Sequence, residues 1–154
     1  MSAAVRPARL GFRPMRQSDL RRVIAIERGA YGFPWSSGVF RDCLRVGYCC
    51  WVVQRARIVD GYGIMQVAAG EAHVLNLCVD REAQGQGLGR LILRGLLQVA
   101  RDHGAGSVYL EVRPSNHVAI ALYLSEQFRN VGTRRGYYPG SPRREDAFIL
   151  SRDV

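Results

Sequence analysis

The sequence predicts a mixed α/β fold, in which one sheet is flanked by about four helices. Segments rich in β-branched and aromatic residues alternate with segments whose apolar residues recur every three to four positions, as strands and amphipathic helices require. Short turns join three consecutive strand-like segments, which indicates antiparallel neighbours. A glycine-rich turn, "DREAQGQGLGR", then links the third of these strands to a helical pattern.

The first elements are predicted to be a strand and two helices. The strand is "RLGFRPM", with Leu10 and Phe12 on one face. Ser18 is expected to cap the helix that starts "DLRRVIAIE". The segment "YGFPW" is a loop because its glycine and proline break regular structure, and Ser36 or Ser37 is expected to cap a short second helix.

The later elements complete the sheet. Three strands are predicted at "YCCWVVQ", "VDGYGIMQVA" and "EAHVLNLCVD", followed by the glycine turn and a helix that ends near His103-Gly104. "SVYLEV" is a further strand, and Ser115 is expected to cap the helix "NHVAIALYLSEQ". The tail from "FRNVGTRRGYYPG" to "EDAFILSRD" is predicted to form two closing antiparallel strands.

Length and composition indicate one domain over residues 1–154. No apolar stretch approaches the roughly 20 residues that cross a bilayer, and the N-terminal "MSAAVRPARLGF" lacks the apolar core of a secretory signal. We therefore expect no membrane association and a cytoplasmic location. The net charge of +9 is scattered along the chain. This favours a basic surface that attracts a polyanionic cofactor, and no direct nucleic-acid role is expected.

The cysteines and two of the histidines are interpreted as structural. The cysteines are Cys43, Cys49, Cys50 and Cys78. They form no CxxC pair and no cluster with histidine at zinc spacing, so we expect reduced thiols and no metal. A nucleophilic Cys78 is the open alternative, although no base is visible beside it. His73 is interpreted as a strand-edge residue, and His103 as a helix C-terminal residue favoured by the dipole.

The glycine turn has the form of an anion site. A strand, a turn containing Gly85, Gly87 and Gly89, and a helix N-terminus together offer backbone N–H groups and a positive dipole end. The dinucleotide fingerprint G-x-G-x-x-G fails, because its sixth position is Arg90 or Ile92. The Walker loop fails too, since both its lysine and its hydroxyl residue are missing. A connection that binds no ligand is the remaining alternative.

The segment Gln84-x-x-Gly87-x-Gly89 resembles the pyrophosphate loop Q/R-x-x-G-x-G/A of the GCN5-related N-acetyltransferases, GNAT, which use acetyl-CoA. Over most of residues 62–150 the chain also resembles the RimI family of ribosomal-protein alanine N-acetyltransferases. The segments that carry this likeness are "HVLNLCVDREAQGQGLGRLIL", "LEVRPSNHVAIALY" and "RRGYYPG…REDAFIL". The resemblance implies the GNAT fold, with a mostly antiparallel sheet of six to seven strands.

The same resemblance implies the reaction and its cofactor contacts. Acetyl would pass from acetyl-CoA to the N-terminal alanine of small ribosomal subunit protein number eighteen, by direct attack in a ternary complex and without a metal. The backbone of Leu77, Cys78 and Val79 would bind the acetyl-pantetheine portion where two neighbouring strands splay. Asn116 would bind the pantetheine arm, although the residue alone could equally satisfy local backbone at a helix start. The residues implied to take the pyrophosphate are Gly85, Gln86, Gly87, Leu88, Gly89 and Arg90.

Two side chains are candidates for proton transfer. Strand alternation places Glu111 on one face with Tyr109 and Arg113. From the pattern alone, Glu111 could be a surface glutamate paired with Arg113, and Tyr123 could be a packed core tyrosine. The resemblance implies instead that Glu111 accepts the proton of the amine and that Tyr123 donates a proton to the departing thiolate.

The peptide side of the site rests on weaker signals. Tyr31, Trp35 and Tyr137 lie in loops that resemble the family's substrate loops. The sequence departs from the family at Gln127, where glycine is usual before the phenylalanine, and a slightly altered helix end is expected there. Two alternatives stay open: a protein N-terminal or lysine acetyltransferase of broader specificity, and a non-catalytic module that binds CoA or RNA. A monomer is expected.

Overall fold

The computed structural model describes residues 9–154, which form one sheet with helices on both faces. The strands are β1 (Leu10–Pro14), β2 (Cys49–Arg55), β3 (Ile58–Ala68), β4 (Glu71–Val79), β5 (Ser107–Val112), β6 (Arg129–Tyr138) and β7 (Glu145–Asp153). The helices are α1 (Leu20–Ala30), α2 (Ser37–Arg45), α3 (Leu88–Asp102) and α4 (His117–Ser125). Short 3-10 turns precede α1 and α3.

The seven strands are ordered β1-β2-β3-β4-β5-β7-β6. Between residues 9 and 154, β4 and β5 are the one parallel pair, and every other neighbouring pair is antiparallel. The mixed, mostly antiparallel sheet and the four helices confirm the predicted fold class. The predicted closing strands also pair with each other, and β7 lies between β5 and β6 because it pairs with both.

Alternate residues of the central strands enter two separate cores. Val53 and Met65 pack with α3, whereas their neighbours Val52 and Ile64 pack with α1 and α2. Because successive side chains of a strand point to opposite faces, the two cores lie on opposite sides of the sheet. Both cores exclude water, and this burial of apolar area is the main stabilising contribution. The sheet is thereby fixed between two helical layers.

Two of the three predicted helix caps have to be corrected. Ser36 does cap α2, since its side chain accepts a hydrogen bond from the Val39 N–H. Ser18 does not cap α1, because it lies inside the 3-10 turn Gln17–Asp19 that runs directly into the helix. The Asp19 carboxylate stabilises the start of that turn instead, because it accepts a hydrogen bond from the Arg16 N–H at 2.7 Å.

Ser115 is not the cap of α4 either. Its hydroxyl donates to Oε1 of Glu145, the first residue of β7, at 3.0 Å and so does not cap the helix. Asn116 is the N-cap, and its Oδ1 accepts from the Ala119 N–H at 3.2 Å. Asparagine is as good a cap as serine, and Asn116 is the cap because Glu145 takes the Ser115 hydroxyl.

The helix ends depend on left-handed residues. α3 ends at Asp102, and Gly104 has φ +78°, as the predicted His103-Gly104 terminus requires. At the end of α4 the left-handed residue is Gln127, with φ +70°. The Phe128 N–H still closes the helix on the Tyr123 carbonyl at 3.0 Å. The left-handed closure is thus made by a residue that has a Cβ.

Replacing Gln127 by glycine is expected to stabilise the protein. The left-handed conformation costs an L-residue about 1–2 kcal/mol, and the greater unfolded-state entropy of glycine offsets up to about 1 kcal/mol of the gain. The expected increase in the free energy of unfolding is therefore roughly 0.5–1 kcal/mol in urea denaturation. Gln127→Ala is the control, because it keeps the strain; equal stability of both variants would contradict this account.

Residues 1–8, which make up most of the stretch considered for a secretory signal, lie outside the described residues. Between residues 9 and 154, no helix is long and apolar enough to cross a membrane.

Candidate active site

A cavity of about 1280 Å³ opens on the sheet at the carboxyl end of β4. Its walls come from the α1–α2 loop, β4, β5, the start of α3, α4 and the end of β6. Every residue predicted for the site lines this cavity, except Gln86. The fold therefore brings together residues that are up to about a hundred positions apart in sequence, from Tyr31 to Tyr137.

The cavity exists because β4 and β5 separate. Their parallel pairing runs only from Glu71 with Ser107 to Val74 with Leu110, although both strands continue beyond it. At the same point β4 carries an extra residue, Leu75, between the residues that pair with Ile64 and Met65. A bulge of this kind bends a strand and ends its pairing. The two strands thus splay as the resemblance implied.

Backbone groups of β4 face into this splay. The Leu77 carbonyl accepts from the Tyr31 hydroxyl at 3.1 Å, and the Val79 carbonyl accepts from the Gln84 amide at 3.4 Å. Both carbonyls therefore point away from β3. Because the N–H and C=O of one strand residue point the same way, the Leu77 and Val79 N–H groups share that direction. These N–H groups are placed to bind a polar ligand in the splay.

The glycine turn forms the other end of the cavity. Gly85 and Gly87 have φ +79° and +80°, which favours glycine at both positions. Gly87 is the N-cap of α3 and no side chain caps the helix, so the first N–H groups have no intrahelical partner. A Cβ at either glycine would meet nothing within 4 Å. The turn is thus an open cradle of N–H donors for an anion.

Arg90 lies in the first turn of α3, directly after the glycine turn. Its guanidinium donates to Ser125 Oγ at 2.9 Å and also bonds the Glu126 carboxylate. The side chain consequently ties the first turn of α3 to the end of α4. Gln86 lies in the same turn but does not line the cavity, so any role in anion binding would fall to its N–H.

Glu111 lies on β5 at the splay, with 9% of its side chain exposed. Its carboxylate contacts His73 Nε2 through Oε2, and Arg134 forms an ion pair with Oε1 at 3.4 Å. Arg113 does not pair with it, because the Arg113 guanidinium donates to Glu145 at 3.2 Å. The surface pair of Glu111 with Arg113, which the pattern left open, is therefore wrong.

Tyr123 lies on α4 and lines the cavity from the α3 side of the sheet, whereas Glu111 points to the other side. Its ring packs on Phe128, with 5.9 Å between centroids. None of the hydrogen bonds within residues 9–154 involves its hydroxyl, although the residue is only 7% exposed. Burial raises the pKa of Tyr123 to about 12, so the hydroxyl keeps its proton at neutral pH. Asn116 starts the same helix, where its side-chain oxygen serves as the cap described above.

Aromatic residues surround the mouth of the cavity. Tyr31, Phe33 and Tyr137 are between 38% and 52% exposed, whereas Trp35 is half-buried and packs on Phe40 with 5.4 Å between ring centroids. Large exposed aromatics clustered beside a cleft are typical of a surface that binds a partner. The three aromatics predicted for the peptide side thus line the same cavity.

Comparison with known proteins identifies the fold family. The profile of the Acetyltransferase (GNAT) family matches residues 18–127, which is more than half of the chain. The chain belongs to this family. It is also 37% identical over 137 residues to the [Ribosomal protein bS18]-alanine N-acetyltransferase of Escherichia coli strain K12, covering 89% of this chain and 93% of that protein. The predicted resemblance is confirmed.

Two solved structures have the same GNAT fold. The ribosomal-protein-S18-alanine N-acetyltransferase from Escherichia coli superposes with a TM-score of 0.89 at 35% identity, covering 95% of this chain and 94% of that one. Arabidopsis thaliana NAA60 in complex with acetyl-CoA superposes with a TM-score of 0.85, covering 95% and 99%. Since the second is only 20% identical, it supports the fold alone.

The role of the glycine turn in this GNAT chain is tested with a matched pair of variants. Gly87→Ala forces a Cβ into a left-handed N-cap at a cost of about 1–2 kcal/mol, and a loop that relaxes this strain loses its anion cradle. The Kd for acetyl-CoA in calorimetric titration is expected to rise about tenfold. Gly104→Ala is the control, because it imposes the same left-handed strain at φ +78° at the other end of α3 and lies outside the cavity. Equal losses in both variants would refute the role of the turn.

Sequence reasoning missed one residue that lines the cavity and another that contacts Glu111. Glu27 lines the cavity, is 1% exposed, and accepts hydrogen bonds from the Tyr62 hydroxyl at 2.7 Å and the Asn76 amide at 2.9 Å. Its place in the apolar stripe of α1, seven residues after Leu20, could have indicated a buried acid. His73 was interpreted as a strand-edge residue, which is wrong because β4 is paired with β3 and β5 at this residue. Its ring contacts Glu111.

Cys78 lines the cavity but is a poor nucleophile. Its side chain lies in the core beneath α1 and α2, and burial raises the pKa of its thiol to about 11. The thiolate, which is the reactive form, is therefore scarce at neutral pH. All four cysteines are free thiols. Within residues 9–154, no three histidine, cysteine, aspartate or glutamate side chains group as metal ligands.

Proposed function

We propose that this chain transfers acetyl from acetyl-CoA to the α-amino group of the N-terminal alanine of ribosomal protein bS18. The observation that carries the proposal is that one cavity joins the glycine cradle, the splay and the two proton-transfer candidates, Glu111 and Tyr123. The 37% identity to the Escherichia coli enzyme supports the alanine substrate. The cradle fits the pyrophosphate of acetyl-CoA, and the splay fits its amide-bearing arm.

The amine has to lose a proton before or during attack. A peptide α-amino group has a reference pKa of about 7.7–8.0, so most of it is protonated at neutral pH. Glu111 accepts this proton, directly or through one water. A carboxylate has about four acceptor positions, so Glu111 can keep His73 and Arg134 as partners and still take the proton.

Attack forms a C–N bond at the thioester carbonyl and puts negative charge on its oxygen. The N–H groups of Leu77 and Val79 lie at the splay and are proposed to stabilise this oxyanion. In other acyl-transfer enzymes one such donor is worth roughly 2.7–4 kcal/mol. The C–S bond then breaks, and Tyr123 donates to the departing sulfur. The protonated state of Tyr123 at neutral pH supports this assignment.

Transfer is direct, without an acetylated enzyme. The thiol of Cys78 stays protonated because burial raises its pKa to about 11, and its hydrogen-bond partners within residues 9–154 include no histidine. Free thiols at all four cysteines fit a cytoplasmic location. We further propose one domain over residues 1–154 that acts as a monomer.

The peptide specificity is tested with a panel of peptides that differ only in the first residue. Incubation with acetyl-CoA and mass spectrometry would give kcat/KM for each peptide. The peptide with the bS18 N-terminal sequence, beginning with alanine, is expected to give the highest value. Equal values for all first residues would instead support an N-terminal acetyltransferase of broader specificity.

A further inference from the structure

His73 and Glu111 meet where the sheet stops holding their strands together. The last parallel pair is Val74 with Leu110, which directly precedes Glu111. Beyond it, no backbone ladder fixes the position of Glu111 relative to β4. The contact from His73 Nε2 to Glu111 Oε2 spans β4 and β5 at this point. It is a side-chain link at the edge of the splay.

The two partners of Glu111 hold its carboxylate from different strands. His73 comes from β4, and Arg134 comes from β6 and pairs with the other oxygen at 3.4 Å. A glutamate side chain has three rotatable bonds, so a carboxylate without partners would sample several positions. Contacts on both oxygens limit it to one position beside the cavity.

The two partners differ in how firmly they are held. The Arg134 side chain is 54% exposed and lies over the Tyr137 ring at 5.6 Å, on the hairpin strand at the outer edge of the sheet. The His73 side chain is 35% exposed and belongs to a central strand that is paired on both sides at this residue. His73 is thus the more rigid of the two supports.

We propose that His73 is a positioning residue, which holds the Glu111 carboxylate in the orientation that accepts the proton of the amine. The inference rests on the proposed role of Glu111. His73 does not contact the cradle or the splayed backbone of β4, and it does not line the cavity. Its removal therefore changes the rate of proton acceptance and leaves acetyl-CoA binding intact.

The test is a double-mutant cycle of His73→Ala and Glu111→Gln, with kcat and KM measured for an alanine peptide and for acetyl-CoA. His73→Ala alone is expected to lower kcat about tenfold, as loss of a hydrogen bond to a charged group does. The KM for acetyl-CoA is expected to stay within about twofold. In the Glu111→Gln background, His73→Ala is expected to change kcat by less than about twofold.

Two further variants serve as a conservative replacement and as a control for the cycle. His73→Gln keeps an N–H donor at similar reach, so it is expected to recover part of the kcat that His73→Ala loses. His103→Ala is the matched control, because the His103 ring bonds the Val99 carbonyl at the end of α3 and does not line the cavity. Its kcat is expected to equal that of the wild type.

The outcomes separate the two ideas. A loss from His73→Ala that is the same in both Glu111 backgrounds, or no loss at all, overturns the positioning role while Glu111 stays the base. Wild-type kcat in Glu111→Gln alone overturns the proposed function of Glu111, and the inference with it. A loss confined to the Glu111 background supports both.

Discussion

Replacing Glu111 by glutamine is expected to lower kcat by roughly 100- to 10,000-fold, which is the usual contribution of a general base. Glutamine has the same shape as glutamate and can still accept hydrogen bonds, but it cannot take the proton of the amine. The KM for acetyl-CoA is expected to change little, because the cradle and the splay are formed by backbone groups. Steady-state kinetics with an alanine peptide measures both quantities.

Glu71→Gln is the matched control for this variant. Glu71 lies at the start of β4, is exposed and does not line the cavity. Its replacement by glutamine therefore removes the same charge and leaves the cavity unchanged. Its kcat is expected to stay within about twofold of the wild type, as surface substitutions usually allow. A Glu111→Gln enzyme with full kcat and normal acetyl-CoA binding would show that another group accepts the proton.

Tyr123→Phe is expected to lower kcat about 100-fold, at the low end for proton donors, because a thiolate is a good leaving group. Stability should barely change, since the Tyr123 hydroxyl has no partner among the hydrogen bonds of residues 9–154 and its ring keeps the contact with Phe128. Thermal unfolding therefore separates a lost donor from a damaged core. A loss of kcat that is accompanied by a clear fall in melting temperature would contradict the assignment.

The pH dependence gives a second test of Tyr123. Burial raises its pKa to about 12, and the donor is the protonated form, which predominates below that pH. The contribution of Tyr123 is therefore expected to persist from pH 7 to about pH 10 and to be lost only as pH approaches the pKa. The ratio of wild-type to Tyr123→Phe kcat should be constant over that range. Tyr109→Phe, outside the cavity, is the control and should leave kcat unchanged.

The fold was predictable where local pattern and tertiary structure agree. The strand before the glycine turn and the helix after it follow period-2 and period-3.6 patterns, and the structure has them at 71–79 and 88–102. The cap at Ser18 was mispredicted because this residue lies inside the 3-10 turn that runs into α1. The cap at Ser115 was mispredicted because a partner distant in sequence competes. Glu145 takes the Ser115 hydroxyl, and this contact forms only when β7 pairs beside β5.

The lining of the cavity was predictable as a set of residues, but the contacts among those residues were not. The glycine spacing identifies the cradle, and strand alternation places Glu111 on the correct face. The bulge at Leu75 leaves no local signal, because it is defined by the register of β4 against β3. The contact of His73 with Glu111 likewise depends on the parallel register of β4 and β5. Register is a property of the sheet, so no short segment contains it.

Glu27 is a residue whose position the sequence indicates but whose hydrogen-bond partners it does not. A glutamate in an apolar helical stripe is visible in the sequence, but its partners are not. The Tyr62 hydroxyl and the Asn76 amide reach it from β3 and β4. Buried carboxylates need such donors, and the fold supplies them beside the bulge.

The most direct test of acetyl transfer to an α-amino group uses one peptide that carries both kinds of amine. The peptide begins with a free alanine and contains an internal lysine, and it is incubated with this protein and acetyl-CoA. Fragmentation in the mass spectrometer then locates the acetyl group. We predict acetylation of the alanine α-nitrogen alone. Acetylation of the lysine ε-nitrogen, or an unmodified peptide with acetyl-CoA bound to the protein, would contradict the account.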